Sequence, residues 1–141
     1  MNRPKLAFIF LGISIVLVIF SLTYIEYSCS EMINKTTQAE MCLIKENHLE
    51  SEKQFTELID LYEKHKPVLN LLLGQGDTLE IRGDLNTAVY FLNCKDYPTA
   101  LLHLQECKAD LNKIIAGNEP TLTTIFKLTI IFHKNMIYRE D

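Results

Sequence analysis

The chain has 141 residues, 48% hydrophobic and 23% charged, with 14 basic against 18 acidic side chains and a net charge of −4. That length holds one domain. The acidic balance excludes the basic face of a nucleic-acid binder, and five glycines and four prolines exclude a collagen-like or broadly disordered chain.

Leu6 to Ile25 reads LAFIFLGISIVLVIFSLTYI and carries no charge. At ~1.5 Å per residue its helical length matches the ~30 Å hydrocarbon core of a bilayer. A buried helix of a soluble domain would show a polar stripe, whereas Ser14, Ser21 and Thr23 are scattered. Arg3 and Lys5 precede the run, Glu26 and Glu31 follow it, and the next basic residue is Lys35. The positive-inside rule therefore predicts a cytoplasmic tail (1–5), a transmembrane signal anchor (6–25) and an extracytoplasmic helical domain (26–141) in the cell membrane. A cleaved signal peptide is the rival, but no small-x-small cleavage site follows the run.

Beyond the span, Cys29, Met32, Ile33, Thr36, Leu43 and Ile44 recur at helical spacing, which predicts that the spanning helix continues as a stalk to about Glu46. Lys45-Glu46-Asn47-His48 interrupts it, and Phe55, Leu58, Ile59 and Tyr62 mark a second helix that Pro67 should kink or end near Lys66. Asp77-Thr78-Leu79-Glu80 has the form of a capping box opening a third helix with the stripe Leu85, Ala88, Val89 and Leu92. Asp96-Tyr97-Pro98-Thr99 then caps a fourth, whose face runs Tyr97, Ala100, Leu101, Leu104, Cys107, Leu111, Ile114 and Ile115 and should close at Gly117. A fifth helix is expected from Asn118 onward. The fold class is all-α: a transmembrane helix extended into a stalk, followed by a small antiparallel helical bundle. The pair Leu85 to Ile115 resembles one tetratricopeptide-type hairpin, and one hairpin is no solenoid.

Few constellations carry chemistry. Cys29 and Cys42, like Cys94 and Cys107, stand thirteen apart, a spacing that two straight helices cannot present to one seam. Cys107 lies on the apolar stripe as a small core residue, and Cys94 beside a turn is the exposed thiol. His103 and Cys107 share a helix face at i, i+4, with Cys94 as a third metal ligand if the chain folds back, but no CxxC or HExxH accompanies them. His48, His65 and His133 sit in polar junctions and read as solvated. No nucleophile elbow or phosphate loop is present, so neither an enzyme, a cofactor nor an assigned metal site is expected.

Three stretches together resemble a known family. They are Tyr27-Ser28-Cys29-Ser30-Glu31-Met32, the segment Phe55 to Leu72 around Tyr62-Glu63-Lys64-His65-Lys66, and Asp96-Tyr97 followed by Ala100-Leu101, Leu104, Lys108, Leu111 and Ile114. The chain resembles short single-span membrane proteins of spore-forming Gram-positive bacteria grouped as a domain of unknown function (DUF4363-like). That resemblance implies an accessory role beside a membrane partner, of the multi-pass YetF type, and assigns no site residues.

The leading expectation is a non-enzymatic, membrane-anchored interaction module that binds a membrane or envelope protein. Its candidate partner surface is the last helix, apolar on more than one face through Phe126, Ile130, Ile131, Met136 and Ile137. The alternative is an extracytoplasmic ligand- or metal-sensing bundle that uses its interior with His103, Cys107 and, as a further ligand, Cys94, and a third reading is thiol chemistry at Cys94.

Overall fold

The computed structural model describes the backbone of residues 3–137 and the side-chain surroundings of residues 4–118. Four helices follow one another: α1 (Arg3–Ile44), α2 (His48–Leu73), α3 (Gln75–Asn93) and α4 (Tyr97–Ile137), with no strand among the described residues. α1 packs on α2 and α4, and α3 packs on the same two, while the diagonal pairs make no close backbone approach among the described residues. Short connections make successive helices antiparallel, so the fold is an up-down-up-down four-helix bundle.

Buried positions alternate in steps of three and four on every helix. They run Ile25, Cys29, Met32, Thr36, Ala39, Leu43 on α1 and Ser51, Phe55, Leu58, Tyr62, His65, Leu69 on α2. On α3 they are Thr78, Ile81, Leu85, Ala88, Leu92, and on α4 Ala100, Leu104, Cys107, Leu111, Ile114. This seven-residue register is that of coiled coils and keeps one seam of each helix turned to the interior. It also exposes a relation between the two hairpins. A shift of 49 residues, a whole number of heptads, carries Cys29 to Thr78, Met32 to Ile81, Thr36 to Leu85, Ala39 to Ala88 and Leu43 to Leu92. The same shift carries Ser51 to Ala100, Phe55 to Leu104, Leu58 to Cys107, Tyr62 to Leu111 and His65 to Ile114.

The turns that close the hairpins obey the same relation. At the end of α1, Glu46 takes a left-handed φ of 56°, its amide donates to the Leu43 carbonyl, and the Asn47 amide donates to Cys42. At the end of α3, Lys95 has φ 61°, its amide donates to Leu92, and the Asp96 amide donates to Phe91. Both are Schellman motifs with a charged residue where glycine is usual. Asn47 then accepts the Glu50 amide, and Asp96 accepts the Thr99 amide and hydroxyl, so each turn also caps the next helix. His48 and Tyr97, equivalent under the shift, stack on each other with centroids 3.9 Å apart.

The helix of the apolar run extends outward as expected, and its outer part forms one wall of the bundle, because Cys29, Met32, Thr36, Ala39 and Leu43 keep the heptad facing α2 and α4. Other sequence expectations are corrected. Pro67 does not end α2, which runs on to Leu73. The ring lies on the exposed side, so water can satisfy the carbonyl its missing amide leaves free, while Leu69 anchors the turn beyond. α3 begins at Gln75 rather than at an Asp77 cap. Gly74, at φ 84°, reverses the chain in one residue, and Thr78 turns inward to bond Asn70 and the Gln75 carbonyl. α4 continues through Gly117 and Pro120, and Gly117 lacks the positive φ of a helix-ending glycine, so the fourth and fifth expected helices are one.

Cross-links at the rim fix the helix pairs: Lys35 of α1 bonds Glu57 of α2, and Lys108 of α4 bonds Glu40 of α1, whose carboxylate is buried. Below Ile25, α1 leaves the bundle. Phe8, Phe10, Val16, Leu17 and Phe20 are exposed, and this is a helix long and apolar enough to cross a membrane.

Leu104→Ala, in the fully buried seam of α4, is expected to lower the unfolding free energy by about 2–5 kcal/mol. Leu49→Ala on the exposed face of α2 should change it by less than about 0.5 kcal/mol. Urea denaturation of the detergent-solubilised chain measures both.

Candidate functional site

Two polar clusters interrupt the apolar seams, and both are centred on a histidine. The first lies where α1 passes from the bundle into the apolar run. His65 occupies a core position of α2 and is 2% exposed, whereas its equivalent in the second hairpin is Ile114, so the bundle does not need a polar residue there. Its Nδ1 lies 2.9 Å from the Tyr24 hydroxyl and its Nε2 2.9 Å from Glu31 Oε2. With the Tyr24 hydroxyl donating to Nδ1 and Nε2–H donating to Glu31, a neutral ring has both nitrogens satisfied. Tyr24 and Tyr27 approach the imidazole edge-on, with centroids 5.7 and 6.3 Å away. Tyr24, His65 and Glu31 thus form a continuous hydrogen-bonded chain from the edge of the apolar run to a partly exposed carboxylate. The sequence reading of His65 as a solvated junction residue is overturned. Its signal was the strict spacing Ser51, Phe55, Leu58, Tyr62, His65, Leu69, which places it on the buried seam.

The second cluster bridges α3 and α4. His103 Nδ1 lies 2.8 Å from Glu106 Oε2 and 3.8 Å from Asp84 Oδ1, and the three donor atoms fall within 4.8 Å of one another. His103 and Glu106, three apart on α4, share a face, and Asp84 reaches in from α3. Although Nδ1 is close to Glu106 and buried, it makes no well-directed hydrogen bond. The ring stacks on Phe91 at 5.8 Å and 5°. Burial, followed by the like charges of Asp110 and Glu106, raises the Asp84 carboxyl above its ordinary range. One nitrogen and two carboxylates are a donor set suited to a divalent cation. The expected partners of His103 are corrected here: Asp84 and Glu106 surround Nδ1, and Cys107 points into the core instead.

The four cysteines are free. Cys29 and Cys107 are buried, and loss of solvation pushes their thiols up to about 11 and about 12. Cys94 is exposed beside the α3–α4 turn, as its position implied, and Cys42 is half-buried. His48 is exposed but stacked on Tyr97. The side chains of the candidate partner surface, Phe126, Ile130, Ile131, Met136 and Ile137, and of His133, lie outside the described residues.

A family model described as Domain of unknown function (DUF4363) matches residues 19–125, covering the outer end of the apolar run and all the buried seams. No curated protein and no solved structure matches the chain.

Tyr24→Phe removes the donor to a buried ring nitrogen and is expected to destabilise the bundle by about 1–3 kcal/mol, read from urea midpoints. A maleimide should label Cys94 in the native protein at neutral pH, and Cys29 and Cys107 only after unfolding, as resolved by peptide mass spectrometry. Thiols of the unfolded chain ionise near 9.0, whereas Cys29 and Cys107 resist to about 11 and 12. Their contribution is therefore fully present below pH 9 and lost as the pH rises through those values. Cys107→Ala should flatten the alkaline decline of the urea midpoint.

Proposed function

The chain belongs to the DUF4363 family, and from that footing we propose that it is a non-enzymatic accessory module, anchored by α1 and presenting a four-helix bundle outside the cell membrane to a membrane or envelope protein. The observation that carries this reading is the continuity of α1. One unbroken helix is bare and apolar at its start and heptad-packed at its end, so the bundle is rigidly joined to its anchor. Arg3 and Lys5 before the run favour a cytoplasmic N-terminus. The interior is filled by Met32, Leu58, Leu69, Ile81, Leu104 and Leu111, which leaves the outer faces as the bundle's means of acting. A multi-pass protein of the YetF type is the partner suggested by the family resemblance.

The test is photo-crosslinking in the native membrane from a reactive residue at Ile44 or Leu49 on the outer end, with Tyr90 on the side of the bundle as reference, followed by mass spectrometry. A single envelope or multi-pass membrane protein captured from at least one of these positions supports the reading. Recovery of the uncrosslinked chain alone from all three overturns it.

The Asp84–His103–Glu106 cluster favours a second reading, an extracytoplasmic metal-sensing bundle. Here the purified full-length chain should bind one zinc or manganese ion per molecule by calorimetry, and His103→Ala should abolish the binding. Absence of saturable heat with either metal would leave the cluster as an ion-pair network between α3 and α4.

A further inference from the structure

The end of the bundle nearest the apolar run differs from the outer end. The outer turns are doubly capped and leave Ile44 and Leu49 exposed beside them, whereas the α2–α3 connection is Gly74 alone, preceded by the last turns of α2, Val68-Leu69-Asn70-Leu71-Leu72-Leu73, which lie against the apolar run. Leu69 is buried in the seam, but Leu71 is 83% exposed and Leu79, in the first turns of α3, is 59% exposed. Leu71, Leu72 and Leu73 line a crevice with Leu17, Val18, Ser21, Leu22 and Ile25 of α1 and Asn118 of α4. The turn therefore reaches down beside residues that belong to the membrane-crossing run itself. Large apolar side chains left bare at that level have a defined neighbour, the lipid that surrounds α1.

We propose that the α2–α3 turn is a membrane-docking foot, with Leu71 and Leu79 inserted into the outer leaflet. This inference rests on the reading of α1 as a membrane anchor. The depth follows from the polar groups of the turn. Gly74 provides no side-chain cap for α3, so the first amides of that helix need water or lipid headgroups, and Asp77 and Glu80 are exposed close by. The backbone of the turn thus sits among headgroups, which sets the edge of the hydrocarbon near Ser21 rather than at Ile25, and the leucine side chains reach the start of the acyl chains. The bundle then meets the bilayer at this turn as well as through α1.

The chain contains no tryptophan, so a single introduced indole reports its own surroundings. Full-length Leu71→Trp, reconstituted at low density in phosphatidylcholine vesicles, is expected to emit at short wavelength and to be quenched more strongly by lipids brominated near the headgroup than near the chain end. Val16→Trp, exposed in the middle of the run, should show the reverse depth preference, and Leu102→Trp, exposed on α4, should emit at long wavelength without quenching. All three sites are exposed, so the substitutions leave the core intact. Leu71→Trp behaving like Leu102→Trp while Val16→Trp is quenched overturns the foot and leaves the anchor standing. A short-wavelength Leu71→Trp signal indifferent to bromine also overturns it, since protein rather than lipid then covers the site. Loss of quenching at Val16→Trp overturns the anchor reading itself.

Discussion

The structure depends on α1 being a single helix. An α-helix satisfies its own backbone hydrogen bonds along its length, so the geometry of the apolar run is fixed, and because nothing breaks α1 before Ile44 that geometry is carried into the bundle. From Ile25 outward the same helix presents Cys29, Met32, Thr36, Ala39 and Leu43 on one seam, against which α2 and α4 are set. Rotating the apolar run about its axis would rotate the seam with it. The faces of the bundle therefore have a fixed relation to the apolar run, without a flexible linker between them.

The second organising fact is the 49-residue relation between the hairpins. Because the shift is a whole number of heptads, equivalent core positions superpose in register, and the turn motifs at Glu46 and Lys95 fall at corresponding places. Departures from the relation are informative. Ile114 shows that an aliphatic side chain suits the position held by His65, so the Tyr24–His65–Glu31 chain is an addition to the bundle rather than a packing requirement. It sits in the hairpin that contains the apolar run, at the level where α1 enters the bundle. The Asp84–His103–Glu106 cluster lies in the other hairpin, toward solvent, so the two polar sites have different surroundings.

The two ends of the bundle are built by opposite rules. At the outer end, left-handed Glu46 and Lys95 and the side chains of Asn47 and Asp96 satisfy the helix-end amides and carbonyls, which suits an aqueous setting. At the inner end a single glycine reverses the chain, leucines crowd the turn, and no side chain caps α3. Tyr62 and Thr78 tie the turn internally, the tyrosine hydroxyl donating to the Thr78 carbonyl at 2.8 Å. This end is tied within and bare and apolar outside, which is what the proposed contact with a bilayer surface requires.

Much of this was legible in the sequence, because the hydrophobic period and the capping chemistry are local. The apolar run, the all-α class, the polar break at Lys45 to His48, the Asp96 cap and the stripe from Ala100 to Ile114 all follow from spacing within one helix. Pro67 and Gly117 misled for the same reason: each is a local helix breaker, and whether a helix stops there depends on whether its far side is held by neighbours or faces water. His65 was read as solvated because Lys64 and Lys66 flank it, although its place in the heptad buries it. Tertiary structure alone brought Tyr24 and Glu31 to His65, and Asp84 to His103, since these pairs are distant in the chain and meet only when the register between helices is set. The sequence determined which face of each helix turns inward, through side-chain period. Which groups meet across those faces, and that the α2–α3 turn descends beside Leu17 to Ile25, was decided by the packing of antiparallel helices of unequal length against α1.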